Sequence, residues 1–355
     1  MRRSSRAFLP AVAAVAVLAA ACGGSSNASD TSGSTPKAAS SLRLGYFANV
    51  THAAAVVGVA KGYFQKELGS TKLQTQVFKD GPTEVTALLG GSIDAAFVGP
   101  NPAINAFVKG DKGVRLIAGA ALGGAALLVK PSITSAAQLK GQTIATPQLG
   151  NTQDVALRTW LNANGHHVTI DGGDVKIAPT DNATSLQLFQ QGKIAGAWVP
   201  EPWVSRLVLQ GGGHVLVNES SLWPAGKFAT TELVVTTSYL SKHPDAVKAL
   251  LKGELDAVNY VSTDNAAAQQ TVNAALDQLT GKSLPAKVIA AAFKDLTVTV
   301  DPAAETLQTD ADHGYAAGTL KSKADLHGLV DLTLLNQLLT AAGKPTVSAG
   351  GLGSV

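Results

Sequence analysis

Residues 42–78 read LRLGYFANVTHAAAVVGVAKGYFQKELGSTKLQTQVF, and the pattern changes twice along them. Leu42 to Phe47 is a short apolar run of strand length, Ala53 to Leu68 has the length and spacing of a helix, and Leu73 to Phe78 is again short and apolar. The alternation continues with a helix over Thr83 to Leu89 and a strand over Ala95 to Val98. Parallel strands need a long crossover where antiparallel ones need only a tight turn, so this alternation implies an α/β fold with parallel sheets.

Glycine and proline punctuate the rest of the chain. Asn101-Pro102 supplies an N-cap followed by proline at the first helical position, and Gly110 stops the helix Ala103 to Lys109. Asn151 opens a helix whose Val155, Ala156, Trp160 and Leu161 share one face, with Gly165 as its stop. Glu201-Pro202 precedes Trp203 to Leu209, which ends at Gly211-Gly212-Gly213. Beyond Ser238 the pattern is mostly helical, with starts after His243-Pro244, Asp264 and Pro285. There is no repeat at a fixed period.

The N-terminus reads as an export signal. Arg2, Arg3 and Arg6 precede an apolar run from Phe8 to Ala21, shorter than the roughly 20 residues a membrane-spanning helix needs. Residues 1–21 carry three arginines and no acidic residue, so without them the formal charge of +3 falls to 25 basic against 25 acidic residues. A neutral mature chain excludes nucleic acid, which calls for a clustered basic face. Cys22 is the only cysteine, which rules out an internal disulfide and a cysteine-based metal site. Leu18-Ala19-Ala20-Ala21-Cys22 resembles a lipobox, with Leu18 one position further from the cysteine than the commonest pattern. The expectation is a diacylglyceryl anchor on Cys22; ordinary cleavage near Ala21 is the competing reading. Residues 22–41, rich in Ser and Gly and almost without large apolar residues, read as a flexible tether.

Several stretches, taken in order, resemble the substrate-binding lipoproteins of sulfonate, taurine and nitrate ABC importers. They are Leu44-Gly45-Tyr46-Phe47 with Gly62-Tyr63-Phe64, the run from Ala87 to Gly99 (ALLGGSIDAAFVG), Leu139 to Ala145 (LKGQTIA), and Gln191 to Trp198 (QGKIAGAW) leading to Glu201-Pro202. The resemblance covers about residues 42 to 340. It implies a type II periplasmic binding protein fold: two doubly wound lobes joined by two crossing strands near Ala125 to Val129 and Thr231 to Val235. Lobe one would be residues 42–124 plus 236–345, and lobe two residues 125–235. It also implies an exported monomer on the outer face of the cytoplasmic membrane, with an ABC permease and its ATPase as partners, a small anionic solute as ligand, and no cofactor.

The residues argue for a ligand site without that family. In open α/β sheets ligands gather at the carboxyl ends of strands, where helix N-termini offer free N–H groups to an anion. Four such junctions stand out, Phe47 to Ala53, Gly99 to Ala103, Gly150 to Asp154 and Trp198 to Trp203, and none contains lysine or arginine. At the first, Asn49, Thr51 and His52 serve either as ligand donors or as a helix cap and a solvated ring, and the resemblance favours the ligand. At the second, Gly99 allows close backbone approach, and Asn101 is either a contact or a plain cap. At the third, Gly150, Asn151 and Thr152 give a permissive turn, an amide and a hydroxyl, more polar groups than one cap requires. At the fourth, Trp198 would wall the pocket and Glu201 would either pair with a ligand ammonium or fix a neighbouring donor, pointing to a zwitterion or monoanion; a core tryptophan and a helix-start carboxylate are the alternatives.

The expected function is capture of a small oxyanion, foremost an aliphatic sulfonate or taurine, for an ABC importer. The same role for nitrate, bicarbonate or a thiamine-precursor pyrimidine is the runner-up. An enzyme is disfavoured: there is no Gly-x-Ser-x-Gly elbow, no His-Glu-x-x-His motif, and no assignable lysine for a pyrimidine-synthesising pyridoxal phosphate enzyme on this scaffold. A structural lipoprotein or adhesin would need no cleft. His166-His167, after the Gly165 stop, read as surface loop residues.

Overall fold

The computed structural model describes residues 39–353. The expected signal segment, Cys22 and the tether up to residue 38 lie outside the described residues. At the tether's expected end the chain already belongs to the fold: Ala39 is buried, and its carbonyl accepts a hydrogen bond from Thr71 Oγ1 at 2.8 Å.

Two sheets form the framework. β1 (Ser41–Phe47), β2 (Lys72–Phe78), β3 (Ala95–Val98) and β4 (Val114–Gly123) start the first. The chain then builds the second from β5 (Ala125–Val129) and β6 (Thr143–Thr146), makes a two-stranded ribbon of β7 (Val168–Thr169) and β8 (Gly172–Gly173), and resumes with β9 (Lys176–Pro179), β10 (Gly196–Pro200) and β11 (His214–Asn218). β12 (Ala229–Thr236) and β13 (Leu296–Val298) return to the first sheet. The orders are β13-β4-β12-β3-β1-β2 and β11-β5-β10-β6-β9. β1 is parallel to β2 and β3, and β6 is parallel to β9 and β10, so each sheet carries at one end the three-stranded parallel set that the alternation implied, and antiparallel pairings complete it.

Helices make the crossovers. α1 (Ala53–Ala60) and α2 (Tyr63–Leu68) join β1 to β2, α3 (Gly81–Leu89) joins β2 to β3, and α4 (Pro100–Lys109) joins β3 to β4. α5 (Thr152–Ala163), α6 (Asn182–Gln190) and α7 (Trp203–Leu209) do the same in the second sheet. The single helix expected over 53–68 breaks at Gly62, whose φ of 70° takes the backbone out of the right-handed region. The helical tail comprises α8 (Thr237–Lys242), α9 (Pro244–Thr263), α10 (Asn265–Thr280), α11 (Ala286–Lys294), α12 (Leu307–Ala316) and α13 (Thr333–Ala341). α9 packs on α1 and α2, so the tail completes the first lobe's core, with Val247, Leu250 and Leu251 fully buried. Each such side chain contributes about 1.5–3 kcal/mol by leaving water.

The chain passes between the sheets at Gly123-Gly124, both at positive φ, where an added Cβ on Gly123 would lie 2.7 Å from the Asp295 carbonyl oxygen. It returns through residues 219–228. Thr230 Oγ1, just past that return, donates to the Gly123 carbonyl and ties the two passages together. Segment 125–129, expected as the first crossing, is β5 of the second sheet, and 231–235 lies within β12 of the first. His166 is also not a surface residue: it is buried, with Nε2 2.9 Å from the Ala136 carbonyl and Nδ1 3.3 Å from Asp174.

Buried carboxyl groups without a cation run through the structure. Glu84, Glu232, Glu254 and Asp310 are buried, and among the described residues none makes an ion pair. Burial pushes all four well above the usual carboxylate range; Asp310 adds to the shift of Glu232, and Glu219 to that of Asp310. Glu201 and Glu219 are lifted by burial to about 7. A carboxyl raised on folding stabilises fully below its unfolded pKa of about 4.3, and that contribution is lost as the pH climbs through the folded value. Thermal stability should therefore fall between about pH 4.5 and 7 and beyond. Glu219→Gln with Glu232→Gln should flatten the decline, measured as melting temperature against pH; an unaltered slope in the double variant would contradict this assignment.

Candidate functional site

All six parallel strands end on one cleft of about 1010 Å³ between the two sheets. The first lobe supplies the loops after β1, β2 and β3 and the α10–α11 connection. The second supplies the loops after β6, β9 and β10 with the first turns of α5, α6 and α7, and Thr230 lies among them. Of the residues read from the sequence, Asn49, Thr51, His52, Gly99, Asn151 and Thr152 line this cleft.

His52 is 2% exposed and stacks on Phe47, ring centroids 4.4 Å apart. Its Nδ1 accepts the Phe47 N–H at 3.3 Å, and burial pushes the ring's pKa down to about 3, so the imidazole is neutral with its proton on Nε2. Asn49 does not cap: its Nδ2 donates to Thr51 Oγ1 at 2.9 Å. Asn151 occupies the N-cap position of α5 without a side-chain cap bond, because its Oδ1 reaches across the cleft to accept the Gly81 N–H at 3.0 Å. Gly81 begins α3 in the opposite lobe, so this bond joins the two walls. Thr152 is buried and its Oγ1 has no partner among the described residues. The first-turn N–H groups of Thr152 and Gln153 have no intrahelical acceptor either. Gly99 faces this hydroxyl so closely that an added Cβ would lie 2.6 Å from Thr152 Oγ1.

Four of the sequence-read residues lie outside the lining. Asn101 is not the cap: α4 starts at Pro100 with Gly99 as N-cap, which turns the Asn101 side chain inward to donate to the Asp310 carbonyl at 3.0 Å. Gly150 supplies the expected left-handed turn, φ 81°, but its N–H is taken by Asp154 Oδ2 at 3.0 Å. Asp154 also pairs with Arg158 and accepts from Thr146 Oγ1, so it braces the loop from beneath. Trp198 alternates into the second lobe's core, fully buried, with Nε1 donating to Glu219 Oε2 at 2.7 Å. Glu201 is fully buried; its oxygens accept from Ser205 N at 3.1 Å and Ser205 Oγ at 2.9 Å, which closes the first turn of α7. It therefore has no route to a ligand ammonium, and the preference for a zwitterion or monoanion that rested on it lapses.

The lining also contains what the junctions did not disclose. Trp203, Arg206 and Gln210 line the cleft from one face of α7 and its end, at positions i, i+3 and i+7. That helical spacing was the available signal. Arg206 lies over the Trp203 ring at 4.5 Å, and its Nε donates to Gln210 Oε1 at 2.9 Å. The loops after β2 and β9 contribute Lys79 and Asp181, and Asp80 and Asp181 cap α3 and α6 by accepting from Thr83 N and Thr184 N. Among the described residues no group of three or more His, Cys, Asp or Glu could hold a metal, and no helix is long and apolar enough to cross a membrane.

A family model described as the NMT1-like family matches residues 35–276. The taurine-binding periplasmic protein of Escherichia coli (strain K12) is 31% identical over 204 residues, 57% of this chain and 61% of that protein. The nitrate/nitrite binding protein NrtA of Synechococcus elongatus is 28% identical over 285 residues, 69% and 63% of the two chains. The chain thus spans about three fifths of the length of the curated relatives it matches. Among solved structures, the alkanesulfonate-binding protein SsuA from Xanthomonas axonopodis pv. citri, bound to MOPS, superposes with a TM-score of 0.68 at 22% identity, covering 81% of this chain and 96% of that one. At that identity the likeness is one of fold.

The Gly81–Asn151 bond makes the arrangement of the walls testable. Asn151→Ala strands a buried N–H, which costs about 1–3 kcal/mol. The variant should populate a wider cleft, seen as a larger radius of gyration in small-angle scattering. An unchanged radius together with unchanged thermal stability would mean that the bond holds nothing.

Proposed function

The chain belongs to the NMT1-like family, and from that premise we propose that it is a non-catalytic solute-binding protein of an ABC importer whose ligand is a small organic oxyanion of the sulfonate type. The observation that carries this reading is the cradle at Gly99 and Thr152. A buried hydroxyl without a partner stands at the start of α5 beside free first-turn N–H groups, and a neutral His52 lines the same cleft. Helix starts of this kind favour an anion without a formal cation, and tetrahedral oxygens suit several convergent neutral donors. Names among the relatives that refer to taurine, alkanesulfonate and nitrate or nitrite point the same way. Both lobes contribute to the cradle, so full contact requires them to close on the ligand.

Calorimetry with ethanesulfonate, benzenesulfonate, taurine, nitrate and an aminopyrimidine tests the ligand class. One hydrogen bond to a charged group contributes about 1.5–3 kcal/mol, so Thr152→Val, which keeps the shape and removes the hydroxyl, should weaken sulfonate binding by roughly one to two orders of magnitude. Lys248→Ala, on α9, should change nothing. Tight binding of the pyrimidine with none of the anions would defeat the oxyanion reading.

Export and anchoring complete the proposal. The basic and apolar N-terminal segment and Cys22 support a lipid-anchored protein outside the cytoplasmic membrane, where it would meet a permease and its ATPase. Cys22 should carry lipid, and Cys22→Ala should be released from membranes or left unprocessed. An unmodified thiol on membrane-extracted protein would contradict the anchor.

A further inference from the structure

The charge of the cleft is one-sided. Lys79, Arg206 and Lys282 line it against a single carboxylate, Asp181. That carboxylate is already engaged as a cap, accepting from Thr184 N at 3.0 Å and Thr184 Oγ1 at 2.6 Å. The chain as a whole has nearly balanced charge, 28 basic against 25 acidic residues, so this local excess is a property of the site.

The charges also stand on other elements than the cradle. The cradle at Thr152, at the start of α5, uses neutral donors, whereas the guanidinium belongs to α7, its Cζ 4.5 Å from the Trp203 ring centroid and its Nε held by Gln210 Oε1. Among the described residues Arg206 makes no ion pair, and its two terminal nitrogens have no hydrogen-bond acceptor. A planar guanidinium held in this way offers a preset fork for a carboxylate or a similar group. The volume, about 1010 Å³, is more than one small oxyanion fills, since pockets of about 300–1,000 Å³ hold drug-sized ligands.

Resting on the oxyanion reading above, we propose that the ligand is an organic dianion: a sulfonate-type head in the Thr152 cradle, a second anionic group on the Arg206 fork, and the carbon skeleton between them along Trp203. A zwitterion such as taurine would instead bring its ammonium towards the cationic end, with no free carboxylate to receive it. Arg206 is then the residue that selects among sulfonates.

Calorimetry of the mature protein against matched pairs tests this: sulfoacetate beside ethanesulfonate, and 4-sulfobenzoate beside benzenesulfonate. The carboxylate-bearing member of each pair should bind at least about tenfold more tightly, the worth of one charge-assisted contact. Arg206→Gln should remove most of that difference, and Arg206→Lys should restore part of it by returning the charge without the fork. Equal affinity within each pair, tighter binding of taurine than of sulfoacetate, or equal weakening of both members by Arg206→Gln would overturn the inference while leaving the sulfonate reading in place. Binding of no member of either pair would overturn both.

Discussion

A helix that starts at the end of a parallel strand exposes backbone N–H groups that must find acceptors, and this structure has several such starts on one cleft. At α3 and α6 the protein meets the need itself through Asp80 and Asp181. At α7 Glu201 does so from below. At α5 the residue in the capping position turns its oxygen to Gly81 instead, and at the turn after β1 Asn49 is engaged with Thr51. The starts left open sit where both lobes meet. Parallel topology creates the demand for acceptors, and the pattern of caps decides which part of the rim a ligand must complete.

Close approach is what allows that part of the rim to be shared. Gly99 has no side chain to hold Thr152 away, and Gly123-Gly124 lets the chain leave the first sheet in a conformation other residues rarely adopt. The bond from Thr230 to Gly123 then joins the outward and return passages immediately behind the site. Small residues set the spacing of the walls, and the polar groups act only because that spacing is short.

Much of this was legible in sequence because alternation, glycine stops and X-Pro starts are local signals. The strand ends and the α5 and α7 starts follow from them. What escaped depended on rotation about an axis. A first helical residue at Pro100 rather than at Pro102 moves Asn101 from the mouth to the interior, two positions being about 200° around a helix. Trp198 lies on a strand, where neighbours alternate between faces, and its indole found Glu219 in the core while Trp203 took the cleft. Arg206 escaped for a different reason: it stands a turn into α7, beyond the strand-to-helix junction where local signals gather. The Asp80 and Asp181 starts were as visible in sequence as the others, but nothing in sequence distinguishes a start that is closed by its own cap from one left open.

The mix of donors bears on how such a site releases what it holds. A fully desolvated guanidinium facing an oxyanion in a closed interior gains strongly and costs heavily to separate, since each charge must be rehydrated. The inner cradle avoids that arrangement: His52 is kept neutral by burial, and the remaining donors are hydroxyl and backbone groups whose attraction depends on convergence of both lobes. Opening the cleft removes one wall and with it much of the attraction. Formal positive charge in the lining is confined to Lys79, Arg206 and Lys282, where side chains reach water and solvent screens them. Such a division lets charge draw an anion in and discriminate at the outer end, while the tightness of the inner end is set by geometry and can be undone by a change of geometry.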